Sequence, residues 1–140
     1  TGFKISTDIE RIGDHAFDIA KTVSAVEVPL DPECLRWVTM LGECAIDMLR
    51  MAVKSYRDKD VQLADNVRKM DKKMDDVFEH TFYALSDFVT HEATRQKRLT
   101  QLLFIARFLE RIGDHAVNIA EWVIYLETAE RIHQKKNRII

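Results

Sequence analysis

Glycine, proline and cysteine are all scarce in this chain. Its 140 residues include four glycines, two prolines (Pro29 and Pro32) and two cysteines. Sandwiches and barrels need many turns built from glycine and proline, so an all-β fold is disfavoured. Collagen-like and low-complexity chains are excluded on the same composition. Cys34 and Cys44 are ten residues apart in one expected helix, about 15 Å along its axis, which is beyond disulfide reach. Two free thiols suit a reducing compartment and predict a cytoplasmic protein. Neither charge sign dominates: 21 basic against 23 acidic residues give a net charge of −2. Without a dense basic surface, nucleic acid is not an expected partner. No run approaches the ~18 apolar residues of a membrane span, and no signal peptide opens the chain.

What is present is helical periodicity in a chain that is 46% hydrophobic and 31% charged, enough to build one core and stay dissolved. Four helices are predicted. The first covers 4–26 with the stripe Ile9, Ile12, Ala16, Ile19, Val23. The second starts at an Asp31 N-cap with Pro32 in the first turn and runs through Leu35, Val38, Leu41, Ala45, Met48 and Ala52 to Arg57. The third starts at an Asp60 N-cap, carries Ala64, Val67, Met74, Phe78, Phe82 and Leu85, and ends near His91. The fourth starts near Arg95 and passes Leu126 with the stripe Leu102, Ile105, Leu109, Ile112, Ala116, Ile119, Val123, Leu126. Long amphipathic helices with short loops predict an elongated antiparallel all-α bundle. The basic run Lys135, Lys136, Arg138 reads as a frayed, solvated tail.

The chain repeats itself. Residues 10–20 read ERIGDHAFDIA and residues 110–120 read ERIGDHAVNIA, identical at nine of eleven positions. The copies are one structural unit used twice. Only the second copy has two helices leading into it. The expected organisation is therefore the last helix of a preceding repeat (1–28), a three-helix repeat (31–130) and a basic tail (131–140). On this reading the chain is a fragment of about one and a third repeats.

The repeated segment carries paired carboxylates. Glu10 and Asp14, and again Glu110 and Asp114, are one turn apart on one helix face. Asp71 and Asp75 share that spacing and interrupt the third helix's apolar stripe. Like charges so placed repel, and a carboxylate beside a core is costly without compensation. Arginines, including Arg11 and Arg111, or a bound oxygen-preferring cation would supply that compensation. In an antiparallel pair, helices three and four can bring Asp71, Asp75, Glu110 and Asp114 together. The metal ligands expected are thus Glu10, Asp14, Asp71, Asp75, Glu110 and Asp114. Asp18 and Asn118 lie one turn further on. Gly13 and Gly113, costly inside helices, imply either close helix approach or room beside the carboxylates. His15 and His115 point about 100° away from their neighbouring aspartates and read as packing or hydrogen-bonding residues. There is no phosphate-binding glycine loop, no HExxH, no GxSxG and only one Glu-x-x-His pair (Glu130, His133), so no catalytic residues are assigned.

The two ERIGDHA segments, with the run DNVRKMDKKMDDVFEHTF from Asp65, resemble the PhoU family of phosphate-system regulators. The likeness runs from about Asp8 to Leu126 and places the signature on the last helix of each three-helix repeat. It implies two side-by-side three-helix bundles in a full-length protein, a cytoplasmic or peripheral membrane location and frequent dimers. It implies a non-enzymatic negative regulator of phosphate homeostasis that couples a phosphate ABC transporter to a sensor histidine kinase. It also implies a divalent metal or iron cluster held by the six carboxylates named above, with the middle-helix partner expected opposite Glu10 and Asp14 missing from this chain. Two alternatives stand beside this reading: a metal-dependent helical-bundle enzyme, and a PhoU-like regulatory domain of a sodium-phosphate cotransporter.

Overall fold

A computed structural model describes residues 2–26, 31–88 and 93–139, with side chains over 4–26, 31–88 and 93–137. Pro29 and the predicted helix end at His91 lie outside these residues. Four helices follow in order: α1 (Gly2–Ala25), α2 (Pro32–Asp58), α3 (Val61–Ser86) and α4 (Ala93–Ile139). Among the described residues there is no strand.

The caps are those expected from the sequence. The Asp31 carboxylate accepts the Glu33 N–H at 3.0 Å and Pro32 opens α2. Asp60 accepts the Leu63 N–H at 3.0 Å and opens α3. Lys59 closes α2 in the left-handed conformation at φ 53°, where its N–H bonds Ser55 O. Two residues therefore reverse the chain and lay α3 antiparallel to α2.

α2, α3 and α4 each pack on the other two, whereas α1 packs on α4 alone among the described helices. The core runs through Leu41, Met48, Val67, Met74, Ala116 and Ile119, all essentially sealed from solvent. A smaller cluster of Cys34, Val38, Leu85, Leu99, Leu102 and Ile105 closes one end. Both cysteines are free and buried, and burial pushes the Cys34 thiol up to about 11.

Three expectations need correction. In α1 only Ile12 and Ile19 of the predicted stripe turn inward, joined by Ile5 and Asp8, while Ile9, Ala16 and Val23 are exposed. A helix with one neighbour covers one narrow strip. Leu35 and Phe82 are exposed, and Cys34 and Thr81 occupy the inward positions instead. The Thr81 hydroxyl satisfies itself on Val77 O at 2.7 Å, so its burial leaves no polar group stranded. Finally, α4 does not stop before the basic segment: the helix runs through it to Ile139, with its side chains exposed as far as Asn137.

Candidate metal centre

Both acidic pairs of the three-helix unit flank an inward residue. In α3, Met74 is buried between Asp71 and Asp75; in α4, Gly113 is buried between Glu110 and Asp114. These two inward residues meet. A Cβ added to Gly113 would stand 3.2 Å from Met74 Cγ and Cε and 3.6 Å from Met48 Sδ. Close helix approach is therefore the role of this glycine, and it presses the two acidic pairs onto one flank of the α3–α4 seam.

The electrostatics report that proximity. Asp71 is raised above its ordinary 3.8, first by burial and then by Asp75, Asp114 and Glu121. Asp114 is raised by burial and then by Asp75. Glu110 is raised above 4.5 by burial, with Asp114 and Asp75 adding to the shift against an opposing Arg107. Asp71, Glu110 and Asp114 thus all carry their charge less readily than in water, with Asp75 and Glu121 beside them. Cations oppose the shifts in part: Arg107 Nη1 donates to Glu110 Oε1 at 2.6 Å, and His115, Arg107 and Arg111 act against the rise at Asp114. Asp75 and Asp114 stay exposed on the open side.

The donor chemistry fits a hard, oxygen-preferring cation. The side-chain positions do not yet make a coordination sphere, since no three His, Cys, Asp or Glu side chains among the described residues are set to grip one ion. The oxygen donors on this flank are Asp71, Asp75, Glu110 and Asp114, with Glu110 engaged by Arg107. Glu10 and Asp14 lie exposed on α1, against which α4 alone packs among the described helices.

The α1–α4 seam uses the other side of the repeated motif. The helices run antiparallel: Gln101 Nε2 reaches Ala25 O at 3.4 Å near one end, and Lys4 Nζ sits 4.7 Å over the Trp122 ring near the other. At the centre the motif's two histidines stack, with ring centroids 5.5 Å apart. His115 Nδ1 donates to Asp8 Oδ1 at 2.9 Å, and Asn118 Nδ2 adds a 3.4 Å bond to the same oxygen. One hundred residues on from Asp8 is Phe108, and it stacks on His15 at 6.0 Å. The seam is a local two-fold with a carboxylate on one side and an aromatic ring on the other. His15 Nδ1 is buried without a partner, and burial, followed by His115 and Arg111, lowers His15 below 6.5. His15 packs and His115 both packs and hydrogen-bonds, as their direction on the helix implies.

Sequence reading missed three residues. Glu121 joins the acidic flank seven residues after Asp114, a helical spacing that was open to inspection. Arg107 precedes Glu110 by three and is an ordinary i,i+3 partner. Asp8 lies outside the eleven-residue repeat, so nothing in the repeat marks it.

Comparison with known proteins agrees with this architecture. A family model described as the PhoU domain matches residues 38–123. The phosphate-specific transport system accessory protein PhoU homolog of Xylella fastidiosa (strain Temecula1) is 38% identical over 132 residues, covering 94% of this chain and 55% of that protein. The protein of the same name from Clostridium acetobutylicum is 32% identical over 132 residues, covering 94% and 60%. The Caulobacter vibrioides homolog is 31% identical over 138 residues, covering 97% and 60%. The chain thus spans 55 to 60% of the length of these curated relatives.

Proposed function

The chain belongs to the PhoU domain family, and from that premise we propose that it serves as an accessory regulator of phosphate transport, binding a cation through α3 and α4. The metal ligands proposed are Asp71, Asp75, Glu110 and Asp114. A divalent ion or iron cluster there would offset the burial and mutual repulsion that raise Asp71, Glu110 and Asp114, tying α3 to α4 more firmly. The observation carrying this reading is the Gly113–Met74 approach, which sets two acidic pairs on one flank.

Glu10 and Asp14 have the same spacing on α1, and they would complete a second site only with carboxylates of another helix facing them. The exposed α1 flank, Ile9, Gly13, Ala16, Phe17 and Ala20, is the repeat counterpart of Leu109, Gly113, Ala116, Val117 and Ala120 on α4. The α4 set packs into the bundle, whereas Ile9 and Phe17 are 52% and 69% exposed. A second helix pair, or a second copy of the chain in a homodimer, would cover that flank.

The relatives are named as accessory proteins of phosphate-specific transport systems. The proposed role here is the corresponding one: contact with a phosphate ABC transporter and a sensor histidine kinase, damping the phosphate-starvation response in the cytoplasm. Asp75 and Asp114 open to solvent, which suits a binding role better than a water-excluding catalytic site. No described helix is long and apolar enough to cross a membrane.

The test is expression of the chain in bacteria deleted for their own PhoU protein and carrying a phosphate-starvation reporter. Restored repression at high phosphate is expected, lost on Asp71→Asn with Asp114→Asn. A reporter that stays active while the folded chain accumulates contradicts the regulatory role. Repression unaffected by the double variant contradicts the role of the cation.

A further inference from the structure

The charge of this protein is unevenly placed. Residues 131–140 hold four basic and no acidic side chains, so the preceding residues carry −6 against a total of −2. These basic residues continue α4 as one helix. The turn joining α2 to α3 is level with α4 at about Val123 to Glu130, where Tyr56, Arg57 and Lys59 line a shared groove. Beyond it α4 runs on as a single helix, and every residue from 128 to 137 is exposed.

That projecting segment has an apolar line as well as charge. Ile132 is 53% exposed and Tyr125 is 60% exposed, and both line a groove with Arg68, Ile124, Thr128, Ala129 and, at its far end, Glu121. Lys135 and Lys136 follow Ile132 at i+3 and i+4, so two ammonium groups border the isoleucine directly. One turn back, Trp122 meets Tyr125 edge-on at 5.6 Å, with Lys4 over its ring. An apolar strip bordered by lysines and headed by Trp and Tyr is the arrangement that settles at a headgroup boundary.

We infer that the end of α4 docks on an anionic phospholipid surface, with Ile132 entering the acyl boundary and Arg131, Lys135 and Lys136 meeting the headgroups. The acidic body favours contact by this end alone, because an anionic surface repels it while the projecting helix holds the basic groups clear of it. Docking of this kind orients the bundle relative to the membrane without inserting it. It uses none of the proposed metal ligands, so it stands or falls apart from the cation reading.

Vesicle flotation with the full chain tests this, using phosphatidylcholine alone and phosphatidylcholine mixed with phosphatidylglycerol. Binding is expected only to the anionic vesicles and is expected to fall with added salt. Lys135→Glu with Lys136→Glu should weaken it by at least about tenfold. Ile132→Ser should weaken it several-fold while helicity by circular dichroism stays unchanged. Failure to float with anionic vesicles at low salt would overturn the inference, as would charge-reversed chain that floats like the unaltered one. Soluble polyglutamate that binds as tightly as the vesicles, with Ile132→Ser without effect on either, would assign the segment to an acidic protein partner and overturn it equally.

Discussion

The two copies of ERIGDHA are nearly the same peptide in two different places. On α4 the copy is enclosed: Gly113 is pressed against Met74, and Glu110 and Asp114 face the carboxylates of α3. Among the described helices the copy on α1 touches α4 alone, a Cβ on Gly13 would meet nothing within 4 Å, and Glu10 and Asp14 lie in solvent. Identical spacing makes a candidate ion site in one place and a solvated face in the other. The motif supplies donors, and the neighbouring helix decides whether they form a site.

The largest effect that separates the copies is cation affinity. Asp71→Asn with Asp114→Asn should weaken Mn²⁺ binding by at least about tenfold, read by isothermal titration calorimetry. Glu10→Gln with Asp14→Asn should leave it unchanged. Equal losses from both pairs would erase the distinction.

Next comes the seam that joins the copies. Asp8→Ala strands the buried side of His115 and should cost about 1–3 kcal/mol in chemical denaturation, with faster amide exchange along α1. Asp8→Phe would copy the Phe108–His15 contact onto the other half of the seam and should recover part of that loss. An Asp8→Ala chain as stable as the parent would mean the seam owes nothing to this bond.

The glycines sharpen the contrast further. Gly13→Ala removes a helix-interior glycine in open space and should stabilise by about 1 kcal/mol. Gly113→Ala gains the same propensity but must move Met74, so it should come out at least about 1 kcal/mol less favourable. Equal effects would deny the close α3–α4 approach.

The smallest effect is in pH. Asp71, Glu110 and Asp114 are raised in the fold, so the folded state holds more protons than the unfolded chain in the window above 3.8 and 4.5. Their contribution is full below those values and is lost as pH rises through the raised folded values. With chelator present, the Tm difference between the parent and Asp71→Asn should therefore widen in favour of the variant as pH rises from about 4 to 7. A constant difference across that range would mean that neither burial nor the neighbouring carboxylates raise Asp71.

The sequence made much of the fold readable because caps and periodicity are local signals. Asp31, Pro32 and Asp60 mark helix starts by their own chemistry, and the α4 stripe from Leu102 to Leu126 is inward throughout, with Leu109 and Leu126 partly covered. The α1 stripe was only partly readable. Ile9 and Val23 look like core residues because on α4 their counterparts, Leu109 and Val123, pack into it, and a sequence does not say which neighbours are present. The acidic pairs were legible as donors, and Gly113 as a close approach or a space. That Arg107 holds Glu110 was open to inspection as an i,i+3 pair, whereas Asp8 holds His115 across more than a hundred residues by tertiary geometry with no local mark.

The most direct test is anomalous scattering from crystals of the chain grown with Mn²⁺. A peak among Asp71, Asp75, Glu110 and Asp114, with Glu110 turned away from Arg107 and no matching peak at Glu10 and Asp14 within a lone chain, is the predicted result. Ordered carboxylates at the α3–α4 seam with no peak between them, and Glu110 still on Arg107 at saturating Mn²⁺, would contradict it.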